Sequence, residues 1–571
     1  EPALRYLDWL REAGLEALSM GERQRESVRV MLQHSLEQVP AEAHTLLALS
    51  AALSYAPFPL DLLWAGAPEL KNETQKRRAL DPLLEYGLLV RGQGTGDRCQ
   101  VAHLLLYEYA RRELALDSER LLQLARYGVA LAEGEMPKGP AGFRCLDAYR
   151  PHLLDLQRRL LDLPRQAKLK VEEPALGLVR DLAWALYDYL YLDGRWAEWL
   201  ASMQTALEAA RLAGDRSWES AWLGNLGNAY QALGQYDQAI QHHQQALAIV
   251  REIGDREGEG SALGNLGNAY NALGQSDQAI QHYQQALAIA REIGDRANEG
   301  RHLGNLGAAY HSLGQYDQAI QHYQQALAIA QEIGDKQGEG RHLGNLGVAY
   351  GSLGQYDKAI EHHQQALAIA REIGDRRGEG TRLGNLGVAY DALGQSDQAI
   401  QHYQQALAIA REIGDREGEG RHLGNLGNAY QSLGQYEQAI QHHQQALAIA
   451  REIGDREGED TVLGNLGNAY QSLGEYEKAI QHYQQALAIA REIGKRAGEG
   501  TALGNLGVAY GSLGQSDQAI QHFQQALAIA QEIGNRAGEG SCLANLGLVY
   551  KEQGDLTQAR QLWQQALKIF E

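Results

Sequence analysis

The sequence predicts a mainly α-helical chain, an α-solenoid of short helical repeats preceded by a small mixed domain. Three observations carry that expectation. The phrase Leu-Gly-Asn-Leu-Gly begins at Leu223, Leu263, Leu303, Leu343, Leu383, Leu423, Leu463 and Leu503, a 40-residue period without a slip. Self-similarity of this size marks units that bury their apolar faces only against their neighbours. All eleven prolines lie at or before Pro174, which leaves the rest of the chain free for uninterrupted helices. Charge divides in the same place: residues 1–180 hold 24 Lys+Arg and 25 Asp+Glu, and 181–571 hold 28 and 47. An array so acidic is a poor match for a nucleic-acid backbone.

The N-terminal elements come first. After Pro40, residues 43–54 read as an amphipathic helix that ends before Pro57 and Pro59, and a second helix spans roughly 74–86. LLVR (88–91), the turn GQGTGD (92–97) and RCQVA (98–102) read as a β-hairpin, followed by a helix at 103–114. Helices followed by a hairpin wing give a winged-helix domain over 26–115. It follows the end of a helical segment at 1–25 and leads into a helical connector at 116–180. Lys71, Lys76, Arg77 and Arg78 lie on or beside the second helix, but four cations on a near-neutral domain fit a solvated face better than a DNA contact.

The phrases ESVRVMLQHSLEQVP (26–40), ALDPLLEYGLLVR (79–91) and VAHLLLYEYARREL (101–114), in that order, resemble the C-terminal half of a STAND-type (NB-ARC-like) signalling ATPase. In that family a nucleotide-binding module precedes a winged helix and a repeat sensor. The resemblance implies that His103 contacts the nucleotide, although Leu104 stands where the family has an acidic residue; otherwise His103 simply ends a strand. No G-x-x-x-x-G-K-[ST] loop occurs, so the chain is not expected to be an enzyme or to hold a cofactor. ADP or ATP is implied only for a full-length protein. The chain begins with Glu1, which is read as a piece of something longer.

The array follows: a degenerate repeat at 181–220, eight near-identical repeats at 221–540 and a partial one at 541–571. Leu303, Leu306, Ala309 and Tyr310 have the spacing of one helix, Ala319, Ile320, Tyr323, Ala326 and Leu327 that of a second, and Gly314 falls at the C-cap of the first. Leu306-Gly307, Tyr310, Gly314, Tyr316, Ala319, Tyr323 and Ala326 resemble the tetratricopeptide repeat, in its 40-residue Pins/LGN-like form. That resemblance implies a right-handed superhelix whose first helices line a ligand groove. Gly307 is then the close contact between paired helices, and Gly304 leaves room in front of the helix.

Comparing copies separates a frame from a variable stripe at 297, 301, 308 and 311 and their equivalents, opposite the apolar face. The second helix repeats Gln324-Gln325 throughout, so diversification is specific to the first helix. The stripe holds a central basic patch, Arg301, Arg341, Arg377, Arg421 and His311, with amides and one carboxylate around it: Asn228, Asn268, Asn428, Asn468, Gln231, Asn271, Asp391, Gln431 and Gln471. Beside it runs an unvarying row including Asn305, Asn345 and Asn385, which either grips a peptide backbone or bonds neighbouring helices. Such a surface suits a protein or peptide ligand with an acidic or phosphate-bearing segment. His242, His282 and their equivalents read as a solvated stripe, with no metal site.

Three scattered cysteines form no disulfide framework, and no apolar run is long enough to span a membrane, so the expected location is cytoplasmic. The functional expectation is a sensor that controls oligomerisation and effector activation by its own ATPase and effector domains, as in bacterial defence. The alternative is a repeat adaptor bridging two proteins with no ATPase attached.

Overall fold

The computed structural model describes residues 36–571, except 38, 87, 92–97, 103, 115 and 167–171. The segment expected at 1–25, most of the phrase at 26–40, the turn at 92–97 and His103 lie outside the described residues. Two compact units result, Glu1–Ile289 and Ala290–Glu571.

In the first unit, helix Ala41–Ala52 starts directly after Pro40. It is not amphipathic: every residue from Leu46 to Ala52 is buried, because helices Glu73–Glu85 and Leu104–Glu113 pack against it. Tyr107 locks its end by donating to Leu53 O at 2.7 Å. Helix Leu60–Gly66 follows the short strand β1 (Phe58–Pro59). Helix Glu73–Glu85 opens with a capping box between Asn72 and Gln75. Strands β2 (Leu89–Arg91) and β3 (Arg98–Val101) pair antiparallel with Leu89 opposite Val101, and β1 adds to β3, giving the order β1-β3-β2.

Helices Ser118–Glu135 and Pro140–Gln166 join this core through buried polar contacts. Tyr127 and Tyr149 both donate to Asp61 Oδ2 at 2.6 Å. His152 lies between Ser54 Oγ (3.0 Å) and Pro57 O (3.2 Å), and burial lowers its pKa to about 4. Gln157 ties the connector to the next two helices by donating to Val179 O and Ser202 O.

Those helices, Glu172–Leu192 and Trp196–Ala213, form the first, irregular pair. Its tryptophans make a packed aromatic cluster: Trp184 meets Trp222 edge-on, and Trp199 packs against Tyr187, Tyr191 and Trp196. Regular pairs then begin with Arg216–Ala232 and Tyr236–Ile253.

The second unit repeats one pattern. In helix Arg296–Ser312 the Asp295 side chain accepts from Asn298 N at 3.0 Å, satisfying a free donor of the first turn. Gly314, at φ +72°, ends the turn, and Gly334, at +73°, ends the partner helix Tyr316–Ile333. The last pair is Arg536–Glu552 and Leu556–Phe570, its first helix beginning five residues before 541. Among the described residues no helix is long and apolar enough to cross a membrane.

Candidate functional site

Helix Arg296–Ser312 carries three glycines, and each admits a different neighbour. A Cβ on Gly300 would lie 3.2 Å from Ile329, and one on Gly307 2.6 Å from the Tyr323 ring, both on the partner helix. A Cβ on Gly304 would lie 2.6 Å from Cε1 of His342, on the first helix of the next pair. The expected open space in front of Gly304 is therefore filled. Gly344 is filled in the same way by Arg382, and Gly384 by His422. At Gly424, Gly464 and Gly504 the expectation holds, with nothing within 4 Å, because the next pairs carry the smaller Val462, Ala502 and Cys542.

Position 302 and its equivalents thus form a fifth variable row, largely buried and so set apart from the exposed stripe. The signal was present in the sequence as Trp222, Ala262, His302, His342, Arg382, His422, Val462, Ala502 and Cys542.

Where this row is small, cavities open between successive first helices. One of about 450 Å³ lies between Arg416–Ser432 and Arg456–Ser472, floored by Ile449, Ile453 and Val462 and edged by Arg421, Asn425, Asn428 and Asn465. Another of about 200 Å³ includes Thr501, Asn505, Cys542 and Asn545.

The family model of the tetratricopeptide repeat matches residues 182–252, 258–332, 338–412, 418–492 and 498–571. The chain belongs to the tetratricopeptide-repeat family. Comparison with curated proteins gives no significant match. Among solved structures it is similar to BtubC from P. vanneervenii (25% identity, 38% of this chain and 90% of that one, TM-score 0.35). It is also similar to a STAND protein with a tetratricopeptide repeat sensor from Pyrococcus horikoshii (20%, 76% and 67%, 0.40) and to the quorum sensor NprR from B. thuringiensis (15%, 60% and 99%, 0.43). The tetratricopeptide array is a non-enzymatic, protein-interaction fold.

The stripe residues divide by environment within this tetratricopeptide frame. Arg301, Arg341, Arg377 and Arg421 are exposed, and among the described residues none has an ion-pair partner. Most other arginines of the second unit are committed to the frame. Arg291 and Arg296 clamp the buried Glu299, and Arg371 and Arg376 clamp Glu379. Burial alone would raise the pKa of Glu379, but hydrogen bonds from the two arginines outweigh it and hold the carboxylate low.

Asn228 and Asn428 are exposed, whereas Asn268 and Asn468 are half-buried and accept from Tyr283 Oη (2.8 Å) and Tyr483 Oη (2.7 Å). The row at 311 makes mixed contacts, and His311 also reaches Ser352 Oγ of the next pair at 3.1 Å. The His311 ring lies 5.2 Å from Tyr316, Asp391 accepts from Ser396 at 3.1 Å, Asn271 from Ser276 at 3.5 Å, and Gln471 from Tyr483 at 3.3 Å. Gln231 and Gln431 occupy the same half-buried position.

Asn305, Asn345 and Asn385 are half-buried. In the same row, Asn425 and Asn465 line the larger cavity, and Asn505 donates to Asn468 of the preceding pair at 3.5 Å.

The histidine stripe is not solvated. His322 stacks on Tyr310 with ring centroids 5.2 Å apart and planes within 5°, and the pairing recurs from Tyr230–His242 to Tyr510–His522. Burial lowers the pKa of each of these histidines. The second helix's Gln324 also has a structural duty, donating to Tyr350 Oη of the next pair at 3.4 Å, as Gln404 does to Tyr430. Where that bond forms, the glutamine is part of the frame.

Proposed function

We propose that this chain is the ligand-sensing and regulatory portion of a STAND-type signalling ATPase. Its array binds a protein or peptide segment along the first helices, and occupancy controls oligomerisation and effector activation. The observation that carries the binding part is the set of unpaired arginines, Arg301, Arg341, Arg377 and Arg421, in an otherwise acidic array, with Arg421 on the edge of an apolar-floored cavity. Free guanidinium groups beside amides suit an acidic or phosphorylated segment, held by charge-assisted hydrogen bonds.

The link to an ATPase rests on the N-terminal phrases, supported by the element order of the first unit. Helix, short strand, two helices and a hairpin in one antiparallel sheet is the arrangement of a winged helix, here continuing into a helical connector. ADP or ATP would be held by the ATPase module, as this chain carries no P-loop.

The test is capture of ligand by the array as bait, comparing wild type with the Arg301→Glu, Arg341→Glu, Arg421→Glu triple variant across a salt series. We expect capture to weaken with salt and to be lost in the variant while helicity is unchanged, since all three side chains are exposed. Equal capture by both proteins would refute the binding surface.

A further inference from the structure

The gap between helices Lys336–Ser352 and Arg376–Ala392 holds a charge that the fold does not answer. Arg382 fills it, its guanidinium lying where a Cβ on Gly344 would stand and so against the helix at that glycine. Burial draws its pKa below the ordinary guanidinium range, with Asp375 acting in the opposite direction. Among the described residues it has no ion-pair partner and no hydrogen-bond acceptor. A half-buried guanidinium with no ion-pair partner is less favourable there than a neutral ring, and the fold uses His at the same place in the pairs on either side.

The repeat supplies its own control. The open cavity two pairs later is lined by three carboxylates, Glu417, Asp455 and Glu457, and one cation, Arg421. At the equivalent positions here stand Gln337, Asp375, Arg377 and Arg341, and Arg382 replaces Val462. Three carboxylates and one arginine have become one carboxylate and three arginines. Arg341 is three residues from Gly344, hence its neighbour on the helix face. The half-buried Asn345 and Asn385 correspond to Asn425 and Asn465 of the cavity wall.

We propose that this gap is an oxyanion site for a phosphate group, with Arg382 at its base, Arg341 and Arg377 at its rim, and Asn345 and Asn385 as neutral donors. Several guanidinium groups match the charge and oxygen count of phosphate better than those of a single carboxylate. The phosphate could be free or carried on a side chain of the bound segment, and the site deepens the groove reading in the second case only.

The test uses the full chain, titrated with inorganic phosphate at constant ionic strength and followed by the thermal midpoint and by calorimetry. Parallel arms use a phosphoserine peptide and its unphosphorylated form. Wild type should be stabilised by phosphate, and Arg382→His should bind it roughly tenfold more weakly. That variant uses the residue already found at 342 and 422, so it preserves the packing. If its far-UV circular dichroism nevertheless changes, Arg341→Thr, the residue found at 461 and 501, is read instead with the same expectation. Tighter binding of the phosphopeptide than of phosphate supports a protein-borne group, and equal binding supports a free one. Equal phosphate binding by wild type and the variant read, or an equal effect of chloride, overturns the site. Phosphate-independent ligand capture alongside such a failure would leave the groove reading standing.

Discussion

Two sets of gaps in the second unit lie between equivalent helices and differ in the side chain that faces the glycine. Between first helices, Gly304, Gly344 and Gly384 are covered by His342, Arg382 and His422, while Gly424, Gly464 and Gly504 face Val462, Ala502 and Cys542 across open space. The backbone repeats; the filling does not. A solenoid can therefore change its internal chemistry from pair to pair without altering its frame, because each gap is closed by a single residue from the next pair.

The largest expected effect concerns the histidines that fill buried positions. His342 and His422 in the gaps, and His243, His363 and His443 beneath Gly227, Gly347 and Gly427, all have pKa values lowered to about 4, burial being the main cause. In the unfolded chain they titrate near 6.5. The unfolded state therefore binds more protons between those values, and stability falls as pH drops from about 6.5 towards 4, by at most about 1.4 kcal/mol per pH unit for each histidine. Thermal midpoints measured from pH 7.5 to 4.5 should show this slope. His243→Tyr, His363→Tyr and His443→Tyr, the residue found at 283, 323, 403 and 483, should flatten it. An unchanged slope would mean that these rings are not neutral fillers.

A smaller effect separates the two sides of one helix. Gly387 lies under the Tyr403 ring, which an added Cβ would overlap, so Gly387→Ala should destabilise by roughly 1–3 kcal/mol in a denaturant titration. The smallest effect has the opposite sign. Gly424→Ala meets nothing and should stabilise by up to about 1 kcal/mol through helix propensity. Gly384→Ala should gain less, because the His422 ring lies 2.6 Å away and must move. If both alanines stabilise equally, the distinction between filled and open gaps fails.

Much of this architecture was legible in the chain. The caps at Asp295 and Gly314 and the hairpin pairing of β2 with β3 follow from local residue chemistry, and the repeat resemblance implied the close contact at Gly307. The exposed arginines were legible too, because helical periodicity separates outward positions from apolar ones. What was misread depends on neighbours distant in sequence. Helix Ala41–Ala52 read as two-faced but is covered on nearly all sides. The histidines at 242 and its equivalents read as solvated but stack on tyrosines twelve residues earlier, as His322 does on Tyr310. The row at 302 was overlooked because buried residues are expected to be constant, whereas this row is buried between copies.

The sequence by itself determined the repeat, its helix boundaries and which face of each first helix meets solvent, since period, caps and apolar spacing are local properties. Only the tertiary structure decided what each glycine admits. A missing Cβ creates space, and whether that space becomes a cavity, a stacked ring or the seat of an unpaired guanidinium depends on the side chain that arrives from the following pair. That is why Gly344 and Gly424, identical in their helices, border an arginine and an open cavity.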